Sequence, residues 1–179
     1  MKIDIVMPQK NESELLAIAE KLGFKQLIFL YEDLNANLPK LKSNKVKVLS
    51  AGLVNDAKNV DKALNKFDLV FGPAQRNFFE NKKIKYLINA ETSSKDDFLY
   101  QRRAGLDDVM CRLAKEKNKV IVFNIQFLSY NNILARMMQN AKLCRKYKVK
   151  TLIASFATNP YDMRAPKDID GFARALKIL

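Results

Sequence analysis

Apolar positions along the chain switch between short unbroken runs and a spacing of three to four, and this alternation predicts strands followed by helices. Residues 2–7 read as a short strand. Asn11 or Ser13 then caps a helix whose stripe is Leu15, Ile18, Ala19 and Leu22, closed by Gly23. Residues 26–31 and 46–50 are the second and third strands, parted by a polar stretch with Pro39. Ala57, Val60, Leu64 and Phe67 mark the next amphipathic helix. Residues 69–71 and 84–88 are the fourth and fifth strands, with a short helical piece at 77–80 between them. Leu106, Val109, Met110 and Leu113 stripe a helix ending near Asn118, and residues 119–125 form a sixth strand.

The stretch 133–169 is the most informative. Leu134, Met137, Met138, Ala141 and Cys144 share one helical face, which predicts the packing side, while Gln139, Lys142 and Lys146 gather opposite. Lys146, Lys148 and Lys150 crowd the turn into TLIASFA, an apolar run that reads as a seventh strand buried on both faces. Asn159-Pro160 marks a loop carrying Arg164. Pro166 opens the last helix, striped by Ile169, Phe172, Ala173 and Leu176.

Seven strands alternating with helices over short connections predict an α/β fold, a parallel sheet with helices packed outside. Spacing alone does not separate an open doubly wound sheet from a closed barrel. No repeat, low-complexity tract or linker interrupts residues 1–179, so a single domain is expected. The longest polar interruption, NAETSSKDDFLYQRR at 89–103, is expected to be functional or flexible and to bring Arg102 and Arg103 to the surface.

Composition adds an asymmetry. The formal net charge is +13. Residues 1–100 hold 16 basic against 13 acidic side chains, and residues 101–179 hold 16 against 6, with seven of the eight arginines in the second part. A basic half suits a polyanion, and arginine's planar fork suits phosphate oxygens. No run is long and apolar enough for a membrane span, and the start is too short and charged for a signal sequence, so no membrane partner and a cytoplasmic location are expected. Cys111 and Cys144 fall in helical patterns and read as two reduced thiols.

Catalytic material is sparse. The chain has no histidine and only five glycines, with neither GxGxxG nor GxxxxGK[ST], which removes imidazole-based nucleophiles, the dinucleotide fingerprint and the P-loop. Asp33, Glu91 and Asp162 are scattered carboxylates that could bind Mg²⁺ with phosphate oxygens, and they read first as solvated loop acids. The candidate RNA-binding set is Arg102, Arg103, Arg136, Lys142, Arg145, Lys146, Lys148 and Arg164, interleaved with Tyr100, Tyr130, Tyr147 and Tyr161. Arg145 lies beside the packing face, where a structural role competes with RNA contact.

RMMQNAKLCRKYKV followed by SFATNPYDMRAPKDI, together with YQRRAGLDDVMCRLAKEKN and VIVFNIQFLS upstream, closely resembles the ribonuclease P protein component 3 family, the barrel-fold subunit of archaeal and eukaryotic ribonuclease P. The resemblance runs over residues 100–172. It implies a distorted TIM-like (β/α) barrel related to the polymerase-and-histidinol-phosphatase (PHP) phosphoesterases, with about seven parallel strands. It also implies a ribonuclease P subunit that binds and orders a catalytic RNA, which removes the 5′ leader from precursor tRNA. The chain alone would not be catalytic and would hold no cofactor, Mg²⁺ acting in the holoenzyme through the RNA. The implied partners are ribonuclease P RNA and ribonuclease P protein component 2, in a heterotetramer. The related phosphoesterases hold their metals largely with histidines, which this chain lacks. A free-standing metal-dependent phosphoesterase on a degenerate PHP barrel is the alternative, and a scaffold without specific RNA contacts a third reading.

Overall fold

A computed structural model describes residues 2–92, 105–129 and 133–178. The strands are β1 (Ile3–Val6), β2 (Gln26–Tyr31), β3 (Lys47–Leu53), β4 (Leu69–Pro73), β5 (Tyr86–Ile88), β6 (Val120–Asn124) and β7 (Lys150–Ala154). Between and after them run α1 (Glu12–Leu22), α2 (Val60–Leu64), α3 (Arg76–Glu80), α4 (Asp108–Glu116), α5 (Ile133–Tyr147) and α6 (Pro166–Ala175). The sheet has seven strands in sequence order, and β1–β2, β2–β3, β4–β5 and β5–β6 pair in parallel. Parallel neighbours need a crossover, which is why the hydrophobic period alternates along the chain. The chain divides into two compact units, Met1–Val70 with Ala154–Phe172, and Phe71–Ile153 with Ala173–Leu179.

In the first unit β1 is bonded on one side to β2, with Ile5 opposite Ile28, and on the other to the segment that leaves β7. There Met7 N–H donates to the Ala157 carbonyl at 3.0 Å, and Phe156 N–H to the Ile5 carbonyl at 2.8 Å. The expected seventh strand, 151–157, stops at Ala154, because Phe156 takes a left-handed φ of 51° that no regular strand accommodates. The third strand runs past the expected Ser50 to Leu53. Gly52 makes this possible: a Cβ there would sit 2.7 Å from the Phe67 ring. Gly23 ends α1 at φ 82°, its N–H reaching back to the Ala19 and Glu20 carbonyls.

The second unit is built around Phe71, Phe78, Phe79 and Phe123, all fully buried. Lys119 is buried too, its ammonium capped by the Asn81 and Ile84 carbonyls. Two helical stripes are rotated from their expected faces. In α4 the buried residues are Cys111 and Ala114, while Val109 is 51 % exposed. In α5 they are Ile133, Arg136, Met137, Asn140, Ala141 and Cys144, while Leu134 and Met138 face solvent. Apolar spacing identifies a stripe, but a buried polar row can displace its centre. Here Arg136 and Asn140 take inner positions because they have a partner inside, Glu91.

Candidate functional site

Cations collect where α5 ends. Lys148, at φ 53°, turns the chain with its N–H on the Arg145 carbonyl, and Val149 N–H returns to the Cys144 carbonyl, leading into β7. This turn leaves Arg145, Lys146, Lys148 and Lys150 exposed together. Lys146 Nζ lies 3.6 Å from the Asp108 carboxylate and 4.9 Å from the Tyr147 ring centre, and the Arg112 guanidinium lies 5.8 Å from the same ring. Arg145 donates to the Lys177 carbonyl, and Thr151 Oγ1 to the Ile178 carbonyl at 2.8 Å. Lys177 and Arg174 are thereby brought beside the turn, both exposed. The surface is cationic with one paired carboxylate, the composition that holds consecutive phosphates.

Of the candidates expected from sequence, Arg145, Lys146 and Lys148 come together here, with Lys142 exposed on the same helix. Arg164 is exposed but belongs to the first unit, near Tyr161, which is 87 % exposed. Arg102, Arg103, Tyr100 and Tyr130 lie outside the described residues. Arg136, expected in the RNA-binding set, is 4 % exposed, and its guanidinium donates to the Glu91 carbonyl at 3.0 Å. Sequence patterns placed Lys150 in the turn but not in the RNA-binding set, and did not single out Arg112, Arg174 and Lys177 as candidates. Only the packing of α4, α5 and the segment after α6 brings them to the same place, although Arg112's place on the polar face of its helix was a readable signal.

Each unit also holds a buried acid. Glu91, expected to be a solvated loop acid, is 1 % exposed and accepts from Asn140 Nδ2 at 3.2 Å; burial pushes its carboxyl up to about 7. Asp4, which no sequence pattern singled out, is fully buried and accepts from Ser155 N–H and Oγ, each at 2.7 Å. Burial outweighs those hydrogen bonds and lifts its carboxyl to about 6. A cavity of about 310 Å³ opens beyond β1 and β2, lined among others by Gln9, Tyr31, Glu32, Asp33 and Thr158. Burial and the Glu12 carboxylate, which accepts the Tyr31 hydroxyl at 3.3 Å, push that phenol upward. Among the described residues no group of three His, Cys, Asp or Glu side chains is placed to hold a metal. The donors of a histidine-based metal centre are not there, so no hydrolytic step is derived through one.

No family model matches the chain. Over 97 % of its length the fold superposes on 82 % of a chain of archaeal ribonuclease P, solved by cryo-EM with mature tRNA, at TM-score 0.77 and 24 % identity. It also superposes, over 98 % of this chain and 92 % of the other, on the histidinol phosphate phosphatase of Lactococcus lactis, solved with zinc, L-histidinol and phosphate, at TM-score 0.68 and 10 % identity. The architecture is therefore a distorted TIM-like (β/α) barrel. In sequence the chain is 27 % identical, over 91 % of its length and 67 % of the relative's, to ribonuclease P protein component 3 of Methanococcus vannielii. In sequence it is thus similar to the ribonuclease P protein component 3 family, which the segments over 100–172 resemble. No described helix is long and apolar enough to cross a membrane.

Proposed function

We propose that this chain is the barrel-fold protein subunit of ribonuclease P and acts in removal of the 5′ leader from precursor tRNA. The observation that carries the reading is its 27 % identity with a component 3 protein across nearly the whole chain, joined to the same fold in a chain of archaeal ribonuclease P. The cationic surface around Arg112, Arg145, Lys146, Lys148 and Lys177 gives the subunit its work: it neutralises phosphates of the ribonuclease P RNA and holds that RNA in order. Lys142 extends the contact, and Arg164 of the first unit and the sequence candidates Arg102 and Arg103 are separate candidates for phosphate contact. Arg136 serves from within by holding Glu91.

Phosphodiester hydrolysis is then the work of the RNA with Mg²⁺ bound through it, and this chain contributes no catalytic group. Ribonuclease P protein component 2 is its protein partner, in a heterotetramer, and precursor tRNA the substrate of the assembly in the cytoplasm. The free-standing phosphoesterase reading has the phosphatase-like fold in its favour, but a chain without histidine lacks that fold's usual metal ligands.

The test is precursor-tRNA cleavage in a mixture of cognate ribonuclease P RNA, the component 2 protein and Mg²⁺, with and without this chain. Cleavage at moderate Mg²⁺ that depends on the chain, with no cleavage by the chain alone, is the expected result. Cleavage by the chain alone, or a mixture indifferent to it, overturns the reading.

A further inference from the structure

We propose that Tyr161 is a stacking platform for an unpaired nucleotide of RNA, with Arg164 on the same loop receiving that nucleotide's phosphate. The inference rests on the ribonuclease P reading and adds a second mode of contact to it: the cations at the end of α5 neutralise phosphates, whereas this loop takes a base. Tyr161 and Arg164 belong to the first unit, on the segment that follows β7. Tyr161 is 87 % exposed, more than any other large apolar side chain among the described residues.

The ring stands in water on a fixed mount. Asn159 Oδ1 accepts the Tyr161 N–H and the Asn159 carbonyl the Asp162 N–H, each at 3.0 Å, while Pro160 and Met163 are buried on either side. Met7 N–H donates to the Ala157 carbonyl at 3.0 Å and Asn11 Nδ2 to the Thr158 carbonyl at 2.9 Å, which fastens the foot of the loop to the segment between β1 and α1. With the backbone held, the side chain keeps only two torsions, so a flat ligand settling on the ring orders little that was free.

The charge beside the ring is idle as well. Arg164 is exposed, and among the described residues its guanidinium makes no hydrogen bond, ion pair or ring contact. Residues 158–168 are not a cationic field, because Arg164 and Lys167 are balanced there by Asp162 and Asp168, all four exposed. Such a balance suits one phosphate on one guanidinium, with the base as the main hold, and does not suit a run of phosphates. An open π face with a planar phosphate-binding fork three residues along matches the two parts of an unstacked nucleotide.

The test compares binding of the full-length chain to a hairpin RNA with one bulged adenosine and to the same hairpin without the bulge, at about 0.1 M salt. The bulged hairpin is expected to bind about tenfold tighter; Tyr161→Ala should erase the difference and Tyr161→Phe keep it, both with the parent's circular-dichroism spectrum. Arg164→Gln should weaken only the bulged complex and flatten its salt slope by about 0.7, and an unchanged slope overturns the phosphate contact. The readout is a ratio between two RNAs, so loss of the cations at the end of α5 lowers both affinities and leaves it unchanged. The cleavage assay judges the subunit reading separately. Equal binding of the two hairpins, no binding of either, or a preference that survives Tyr161→Ala overturns the platform. Loss of association with the component 2 protein in Tyr161→Ala, with the RNA preference intact, overturns it in favour of a protein surface.

Discussion

Asp4 and Ser155 stand 151 positions apart in sequence and touch twice at 2.7 Å, the buried carboxylate accepting both the backbone N–H and the hydroxyl of the serine. A third bond, from Ile5 N–H at 2.9 Å, completes its shell. The contact fastens the segment leaving β7 to β1. An apolar side chain at position 4 would pack there but would leave the Ser155 amide without its acceptor.

Asp4 sets a pH dependence with a definite sign. Its folded pKa, about 6, lies above the ordinary 3.8, so the folded chain binds the proton more tightly. Its contribution is fully present below about pH 4 and is lost as pH rises to about 6. The two-unit shift corresponds to about 3 kcal/mol. Asp4→Asn removes this titration: urea unfolding at pH 4 and pH 7 should show a smaller difference between the two pH values in the variant than in the parent. Asp4→Ala, which orphans Ser155 N–H, should lose about 1–3 kcal/mol at both.

Arg136→Ala separates structure from RNA contact. Removing a buried guanidinium should cost about 2–4 kcal/mol of stability, read by chemical denaturation. The salt dependence of RNA binding by the folded variant should match the parent. A changed slope would return Arg136 to the interface.

The exposed cations predict the reverse. Arg145→Gln, Lys146→Gln and Lys148→Gln together should leave the circular-dichroism spectrum in place and weaken binding to ribonuclease P RNA by about 10- to 100-fold near 0.1 M salt. The plot of log affinity against log salt should flatten by about 2 in slope, since each phosphate that is no longer neutralised removes roughly 0.7–0.9. An unchanged slope would remove this face from the RNA interface.

Gly72→Ala tests the second unit's core. A Cβ there would meet Phe78 Cδ1 at 2.5 Å, and Phe78 is fully buried with no room to turn aside. The expected loss is about 1–3 kcal/mol, read as a lower denaturation midpoint with RNA affinity of the folded fraction retained.

Sequence alone determined the succession of strands and helices, because a strand's side chains alternate and a helix's repeat every 3.6 residues whatever lies beside them. It also determined the basic second half, the absence of imidazole chemistry and the family segments over 100–172, all of which are properties of order and composition. Tertiary structure decided which way each stripe faces. Leu134 and Met138 looked inward by spacing, yet Arg136 and Asn140 took the inner positions because Glu91, brought in by β5, offered them buried acceptors. Pairings across the chain, Asp4 with Ser155, and Arg112 beside Tyr147, carry no local signal. Each depends on two elements whose only relation is that the fold places them side by side.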